Sequence, residues 1–282
     1  MTDTTHTPDN RFFALSAADA WLIGVSALGI GLLALATAFV PVWPVWVSLL
    51  LFLFMCFVIC TNYQCVGHNF VHNEFFNSSI LNTLFSMMNS MALGFPQTIF
   101  NQHHMNHHRF NNAPFARDGS PGDLSSLQRY SDGPGVDEPF LKYCLLSPLR
   151  ADVISYGRSA IRRGLGKRLA LDVASLLVLM SVLAVIDWRF FLFFYLPLVY
   201  FGHVLTYAEG YFEHHKTVPG DKMRNAVSSY GRFYNFIWFN NGFHQEHHCY
   251  PQVHWTQIPA YRDRMLPDQD RRVVPFAHWV NF

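Results

Sequence analysis

A chain of 282 residues that is 51% hydrophobic, 16% aromatic and only 14% charged carries too few ionisable residues for an ordinary soluble surface, where roughly a quarter are charged. Its 20 Lys and Arg against 19 Asp and Glu leave no net field, so nothing global points to nucleic acid or another polyanion. Cys56, Cys60, Cys65, Cys144 and Cys249 form no C-x-x-C pair, which argues against a disulfide framework and for reduced cysteines acting as small hydrophobes.

In chain order, residues 1–17 are polar and read as a short tail ahead of a single domain over 18–282. Ala20–Val40 follows without a charge, long enough to cross about 30 Å of hydrocarbon. It lacks the basic start and small-residue cleavage site of a signal peptide. Pro41-Val42-Trp43-Pro44 is a tight turn, and Val45–Val66 is a second apolar run that leads into His68 and His72. Ile80–Met91 is apolar but short, interrupted by Ser86, Asn89 and Ser90 and stopped at Gly94-Phe95-Pro96. It reads as an in-plane or partly inserted helix. A Gly, Pro, Asp and Ser-rich loop then runs to about residue 135. Two further spans are expected at about 169–186 and 190–208, separated by Asp187-Trp188-Arg189.

Charge places these elements about the membrane. Lys142, Arg150, Arg158, Arg162, Arg163, Lys167 and Arg168 face a single acid, Asp152, over residues 142–168. By the positive-inside rule that segment is cytoplasmic. The expected fold is therefore all-α, an integral membrane four-helix bundle of two transmembrane hairpins. Residues 67–168 and 209–282 form a cytoplasmic helical cap, and both termini are cytoplasmic.

Eleven of the fifteen histidines fall in four short clusters. His68 and His72 stand at i, i+4; His104, His107 and His108 at i, i+3, i+4; His244, His247 and His248 repeat that spacing, and Glu213-His214-His215 supplies a fourth contribution. Residues three and four apart share a helix face, so each box aims its imidazoles one way. Imidazole is a borderline ligand for Zn, Cu, Fe and Ni. A lone histidine is ordinarily a satisfied polar residue, but three boxes at ligand spacing call for metal. They are too many for one tetrahedral ion with its four ligands, and two ions sharing them is the economical reading. His103 competes with His104, since His103, His107 and His108 stand at i, i+4, i+5. Two spans separate His68 from His214, so both reach the same face, as shared metals require.

The boxes H-x-x-x-H, H-x-x-H-H and H-x-x-H-H around two apolar hairpins resemble the membrane fatty acid desaturase and hydroxylase superfamily. The stretch Asn241-Gly242-Phe243-His244-Gln245-Glu246-His247-His248, with Pro251 and Trp255 beyond it, is similar to the third box of acyl-lipid and sphingolipid desaturases and, more loosely, of carotenoid ketolases. The likeness covers roughly residues 45–260. It implies two iron ions with O2 as co-substrate, a lipid acyl chain as substrate and desaturation as the reaction. Hydroxylation or ketone formation on an alkyl or carotenoid substrate is the alternative within the superfamily. It implies iron ligands at His68, His72, His103 or His104, His107, His108, His214, His244, His247 and His248. The neighbourhood of His214 matches the alkane hydroxylase pattern less closely, and His215 is the rival there.

Asn240, Asn241, Glu246 and Asp123 are candidates to orient ligands through their second ring nitrogen. His203, Tyr207 and Gly210 share a helix face below His214 and are candidates for a substrate tunnel wall, with interhelical hydrogen bonding as the plainer role. The chain shows no dinucleotide fingerprint and no haem-binding H-P-G-G, so the expectation is a separate electron donor of ferredoxin or cytochrome b5 type with its reductase. Outside the superfamily, a metal transporter would keep its polar groups near the bilayer midplane. A two-zinc membrane hydrolase would be expected to draw carboxylates into its ligand set.

Overall fold

A computed structural model describes residues 12–133 and 135–282; most of the tail expected over 1–17 lies outside the described residues. Residues 12–17 are stitched to the cap: Phe13 bridges to Phe76, and Ala14 N–H donates to Phe75 O at 2.8 Å. Among the described residues, regular secondary structure is helical apart from one pair of two-residue strands and two isolated bridges. Four helices among the described residues are long and apolar enough to cross a membrane: α1 (Asp19–Phe39), α2 (Val45–His72), α7 (Gly166–Ile186) and α8 (Trp188–His214). Between α2 and α7 lie α3 (Ser79–Leu93), α4 (Gln97–Phe110), α5 (Phe140–Arg150) and α6 (Val153–Arg162). After α8 come β1 (Ser228–Ser229), α9 (Arg232–Ile237), α10 (His244–Cys249) and β2 (Val273–Val274).

The second and fourth spans are longer than hydropathy alone predicts. At 1.5 Å per residue, the 28 residues of α2 extend about 42 Å, well beyond about 30 Å of hydrocarbon. The surplus carries His68 and His72 past the apolar stretch without a break in the helix. A π-helical segment, Asn62–Gly67, precedes them; such segments recur at functional sites. In the same way α8 continues through Tyr207 and Gly210 to His214. These two helices pack closely because Gly202 has no side chain: a Cβ there would come within 2.8 Å of Ile59. Around that contact Met55, Cys56 and Ile59 bury against Leu183, Phe190, Phe194 and Leu198. All five cysteines are buried and unpaired.

Helices α3 and α4 form a hairpin that enters the bundle and returns. His203 donates from Nε2 to Leu93 O, the end of α3, at 3.0 Å. His203 lies eleven residues before His214, so the tip sits roughly 16 Å below the histidine level. At the turn Gly94 adopts φ +64°, and Val199 approaches within 2.5 Å of where its Cβ would stand. Fifteen residues make α3 too short to span, and its serines and asparagine have partners inside the bundle. Ser26 donates to Asn89 Oδ1 at 2.6 Å, Asn89 donates to Gln97 Oε1 at 2.6 Å, and Gln97 donates to Gly67 O at 3.2 Å and Asn101 Oδ1 at 2.7 Å. Asp172 of α7 accepts from Ser86 Oγ at 2.8 Å and from Thr98 N and Oγ1 at 2.9 and 2.7 Å. Buried polar groups are tolerated when partnered. Here they lock α4 against α1, α2 and α7.

The C-terminal segment closes over the same end. Asp19, in the first turn of α1, accepts from His254 Nε2 and Trp255 Nε1, both at 2.9 Å. β2 pairs in parallel with β1, and Asn281 donates to Phe212 O at 2.8 Å. The start of α1 and the ends of α2 and α8 therefore meet at one end of the bundle.

Candidate metal centre

Four helices deliver nine imidazoles to one place. Helix α2 contributes His68 and His72, α4 contributes His104, His107 and His108, α8 ends on His214, and α10 contributes His244, His247 and His248. They sort into two adjoining groups. His68, His72, His104, His108 and His247 form a group of five; His107, His214, His244 and His248 form a group of four.

Within each group the Nε2 atoms converge. In the first, separations are 2.6 Å for His68–His247, 2.8 Å for His72–His104, 2.9 Å for His104–His108 and 3.0 Å for His108–His247. In the second they are 3.0 Å for His107–His214, 3.3 Å for His107–His248 and 3.2 Å for His214–His244. Ligands at right angles on metal–nitrogen bonds of about 2.1 Å stand roughly 3.0 Å apart. Two neutral imidazoles share one hydrogen between such atoms at most, whereas a common cation satisfies every lone pair. The donor set fits a pair of transition metal ions.

Several ring orientations are fixed from outside. His68 Nδ1–H donates to Gln64 O at 3.0 Å, His214 Nδ1–H to Asn225 O at 2.7 Å, and His107 Nδ1–H to the Asp123 carboxylate at 2.6 Å. Each bond leaves the Nε2 lone pair facing inward, the tautomer a metal needs. Burial, then the neighbouring imidazoles, holds His104, His108, His244, His247 and His248 well below the usual histidine pKa, so they are neutral at physiological pH. Burial would push the Asp123 carboxyl up, but His107 and Ser125 outweigh it and hold Asp123 below the ordinary carboxylate range.

The alternatives left open by spacing separate here. His104 enters the five-membered group; His103, about 100° further round α4, faces Tyr63 OH at 3.4 Å and the Tyr156 ring, outside both groups. His215 likewise turns away, pairing with Asp137 at 2.7 Å and stacking on Tyr211. Of the four candidate orienting residues, Asp123 alone bonds a ring of either group. Asn240 donates to Trp255 O at 3.0 Å, and Asn241 donates to Glu213 Oε1 at 2.7 Å. Glu246, fully buried, accepts from Ser228 at 2.7 Å and Tyr230 at 2.5 Å and pairs with buried Arg271 at 3.3 Å. On α10, His244, His247 and His248 point into the imidazole groups while Glu246 faces the C-terminal segment.

Tyr207 and Gly210 line a cavity of about 70 Å³ that also touches His68, His104, His107, His214 and His244. His203 lines an adjoining cavity of about 40 Å³ with Tyr63, His103, Tyr156 and Tyr207, and it also makes the interhelical hydrogen bond to Leu93 described above. Glu213, absent from the expected orienting residues, lies 3.7 Å from His244 Nε2. It also gathers with Glu209 and His278, all buried, around the Tyr234 hydroxyl, which donates to Glu209 at 2.6 Å. Adjacency to His214 is the one sequence signal for Glu213; His278 lies 65 positions beyond Glu213 and gives none.

The sequence pattern of the fatty acid desaturase family matches residues 41–279. The chain belongs to that family. Among curated proteins it is similar to the sphingolipid delta(4)-desaturase DES1 of Xenopus tropicalis, with 28% identity over 225 residues. The match covers 76% of this chain, and the chain spans 64% of that relative's length. This family member thus places its three histidine boxes and His214 on helices that all end at one face of a membrane bundle.

Proposed function

We propose that the protein is an O2-dependent di-iron oxidoreductase acting on a lipid hydrocarbon chain, and that its reaction is desaturation of a fatty acyl chain. The convergence of nine imidazoles in groups of five and four carries this reading, with family membership and the printed activity of the sphingolipid desaturase relative in support. Iron at these sites would supply O2 activation and removal of hydrogen from an unactivated C–H bond. The chain's own residues do the rest. The nine histidines hold the ions, and Gln64, Asp123 and Asn225 fix ring orientations. The apolar bundle and the cap exclude water. The cavity beside the ligands admits the chain to be oxidised. The metal face is cytoplasmic on the evidence of the basic 142–168 segment, and electrons arrive from a separate ferredoxin- or cytochrome b5-type donor. The spacing whose imidazoles converge is that from His104, the desaturase pattern, and this favours desaturation over hydroxylation.

The test is turnover of an acyl lipid by purified, iron-loaded, donor-supplied enzyme under ¹⁸O2. An alkene with all label in water is expected. Label in an alcohol or ketone moves the protein to the hydroxylase or ketolase branch, and zinc in place of iron in protein purified before any iron loading removes the oxidative reading.

A further inference from the structure

Helix α6 packs where α7 enters the bilayer, and its outer face has no partner in the protein. The inner face carries Tyr156 and Ala160, both buried. Gly157 lies beside them, where a Cβ would stand 3.6 Å from Ile99 of α4 and 3.9 Å from Leu169 of α7. Leu169 belongs to the first turn of a span, so α6 runs at the level of the membrane surface. Ile154, Arg158, Ile161 and Arg162 stand at i, i+4, i+7 and i+8 and share the opposite face. The two isoleucines are 65% and 62% exposed, and both arginines are exposed. Arg163 and Lys167, also exposed, carry the positive surface on to the start of α7.

These four cations form no ion pair among the described residues, whereas their neighbours do: Lys142 and Arg150 pair with Glu138, and Arg168 with Glu74. No acid lies between Val153 and Arg168. Asp152 accepts from Ser155 N–H at 3.0 Å and meets Arg158 only at longer range.

The adjoining surface of α5 shows what this face looks onto. Leu141, Leu145 and Leu149 are exposed at i, i+4 and i+8. Leu145 O accepts from Tyr200 at 2.8 Å. Tyr200 lies twelve residues into α8, about 18 Å from its start and so within about 30 Å of hydrocarbon. These leucines therefore meet acyl chains, and the apolar row continues through exposed Val153 and Ile154 into α6. A soluble partner could not cover that row without displacing lipid. Cations interleaved with apolar side chains at headgroup level match a leaflet that carries negative charge.

We infer that α6 and the start of α7 form a docking surface for anionic phospholipid headgroups. Ile154 and Ile161 enter the acyl region, and Arg158, Arg162, Arg163 and Lys167 meet the phosphates, for which the arginine fork is suited. The same helix braces the second histidine box. Ser159 donates to Gln102 Oε1 of α4 at 2.9 Å, and the Tyr156 ring meets His103. Headgroup binding thus holds α6, and through it α4, in place.

The experiment reads lipid selectivity and not turnover, so its outcome is independent of the proposed reaction. The full chain is reconstituted in phosphatidylcholine bilayers containing a trace of spin-labelled phosphatidylglycerol or, separately, spin-labelled phosphatidylcholine, and the motionally restricted fraction is measured. Phosphatidylglycerol is expected to be held about fivefold more strongly, roughly 1 kcal/mol. Salt at about 1 M, where charges are screened beyond about 3 Å, should remove most of that preference. Arg158→Gln combined with Arg162→Gln should cut it at least about twofold, and the paired Arg158→Lys and Arg162→Lys should keep it. Thermal midpoints check that each variant is folded, and Arg163→Gln with Lys167→Gln repeats the test on the other half of the surface. Equal restriction of the two lipids by the wild-type protein overturns the inference, as does a preference that both glutamine pairs leave intact. If the wild type shows no lipid preference and the glutamine pairs instead weaken binding of an acidic donor protein, the surface belongs to the donor and the inference fails.

Discussion

The two imidazole groups are built differently. The group of five is partly open: His72, His108 and His247 retain some exposure, and the contact that fixes His68 is a main-chain carbonyl of its own helix. The group of four is deeper. His214, His244 and His248 are buried and His107 is 13% exposed, and two of the four are braced on their second ring nitrogen, His107 by the Asp123 carboxylate and His214 by Asn225 O. A buried negative charge strengthens an imidazole as a donor and resists its rotation. The deeper group would therefore hold an ion with fewer ligands, two of them braced from outside, and has no ligand to spare. The outer group has one more ligand than four-coordinate binding uses.

Removing a ligand is the strongest way to break that contrast. His248→Ala or His107→Ala should lower activity by at least about 100-fold and strip one ion from the protein, with membrane insertion unchanged. His72→Ala also inactivates, but with a smaller loss of bound metal, because four imidazoles remain in its group. Metal analysis of the purified variants reads this directly. Equal metal loss from His72→Ala and His248→Ala would erase the distinction, and a fully active His248→Ala would remove the centre itself.

The carboxylate on His107 comes next. Asp123→Asn preserves shape yet removes the charge that holds the ring, and a loss of about 10–100-fold in metal affinity or activity is expected. Chelator competition measures it. Because the effect passes through one ion, it should appear as loss of half the metal at a lower chelator concentration, not as a uniform shift of both.

How much of this was legible in the sequence follows a physical divide. Hydropathy located the four spans, since lipid demands long uncharged runs. It placed the end of α2 at Val66, because Gly67 and His68 read as polar, whereas the helix continues to His72. Helical periodicity placed the imidazoles on common faces and left His103 and His104 open, a choice that depends on the rotation of α4 against α2. That rotation is set by Gln97, Asn89 and Asp172, long-range contacts with no periodic signature. Main-chain acceptors such as Gln64 O and Asn225 O have no residue-type signal at all. Glu246 attracted attention by position inside a box, yet its partner Arg271 lies 25 residues away.

Burial itself offers a milder test that acts on both groups. His104, His108, His244, His247 and His248 have pKa values held down by desolvation, then by one another. Below their ordinary value of about 6.5, the unfolded chain takes up protons that the folded chain refuses. Stability of metal-free protein is therefore intact above that pH and declines as pH falls through it. Thermal midpoints at pH 7.5 and 5.5 should differ, with the lower at pH 5.5. A flat profile would mean that these rings are hydrated and already free to protonate.

The smallest effect sharpens the contrast from the side of a residue that sits among the ligands without serving them. Asn240 precedes the third box by four positions, as close in sequence as a bracing residue needs to be. Its amide nevertheless points to Trp255 O at 3.0 Å, and its backbone adopts φ +60°, where asparagine is better tolerated than most residues. Asn240→Ala loses one hydrogen bond, about 1 kcal/mol, and adds a left-handed alanine at about 1–2 kcal/mol. Both costs fall on the loop before α10 and neither on an imidazole. The expected result is a thermal midpoint lowered by a few degrees, with metal content unchanged and activity within about threefold of wild type. Asp123→Asn should instead lose metal and lower the midpoint as well, because its two oxygens also accept from Asn112 and Ser125 and a lost ion no longer stabilises the folded state. If Asn240→Ala instead releases metal, the loop and not the carboxylate sets the grip of the deeper group, and the account of its tighter hold has to be rebuilt on backbone geometry.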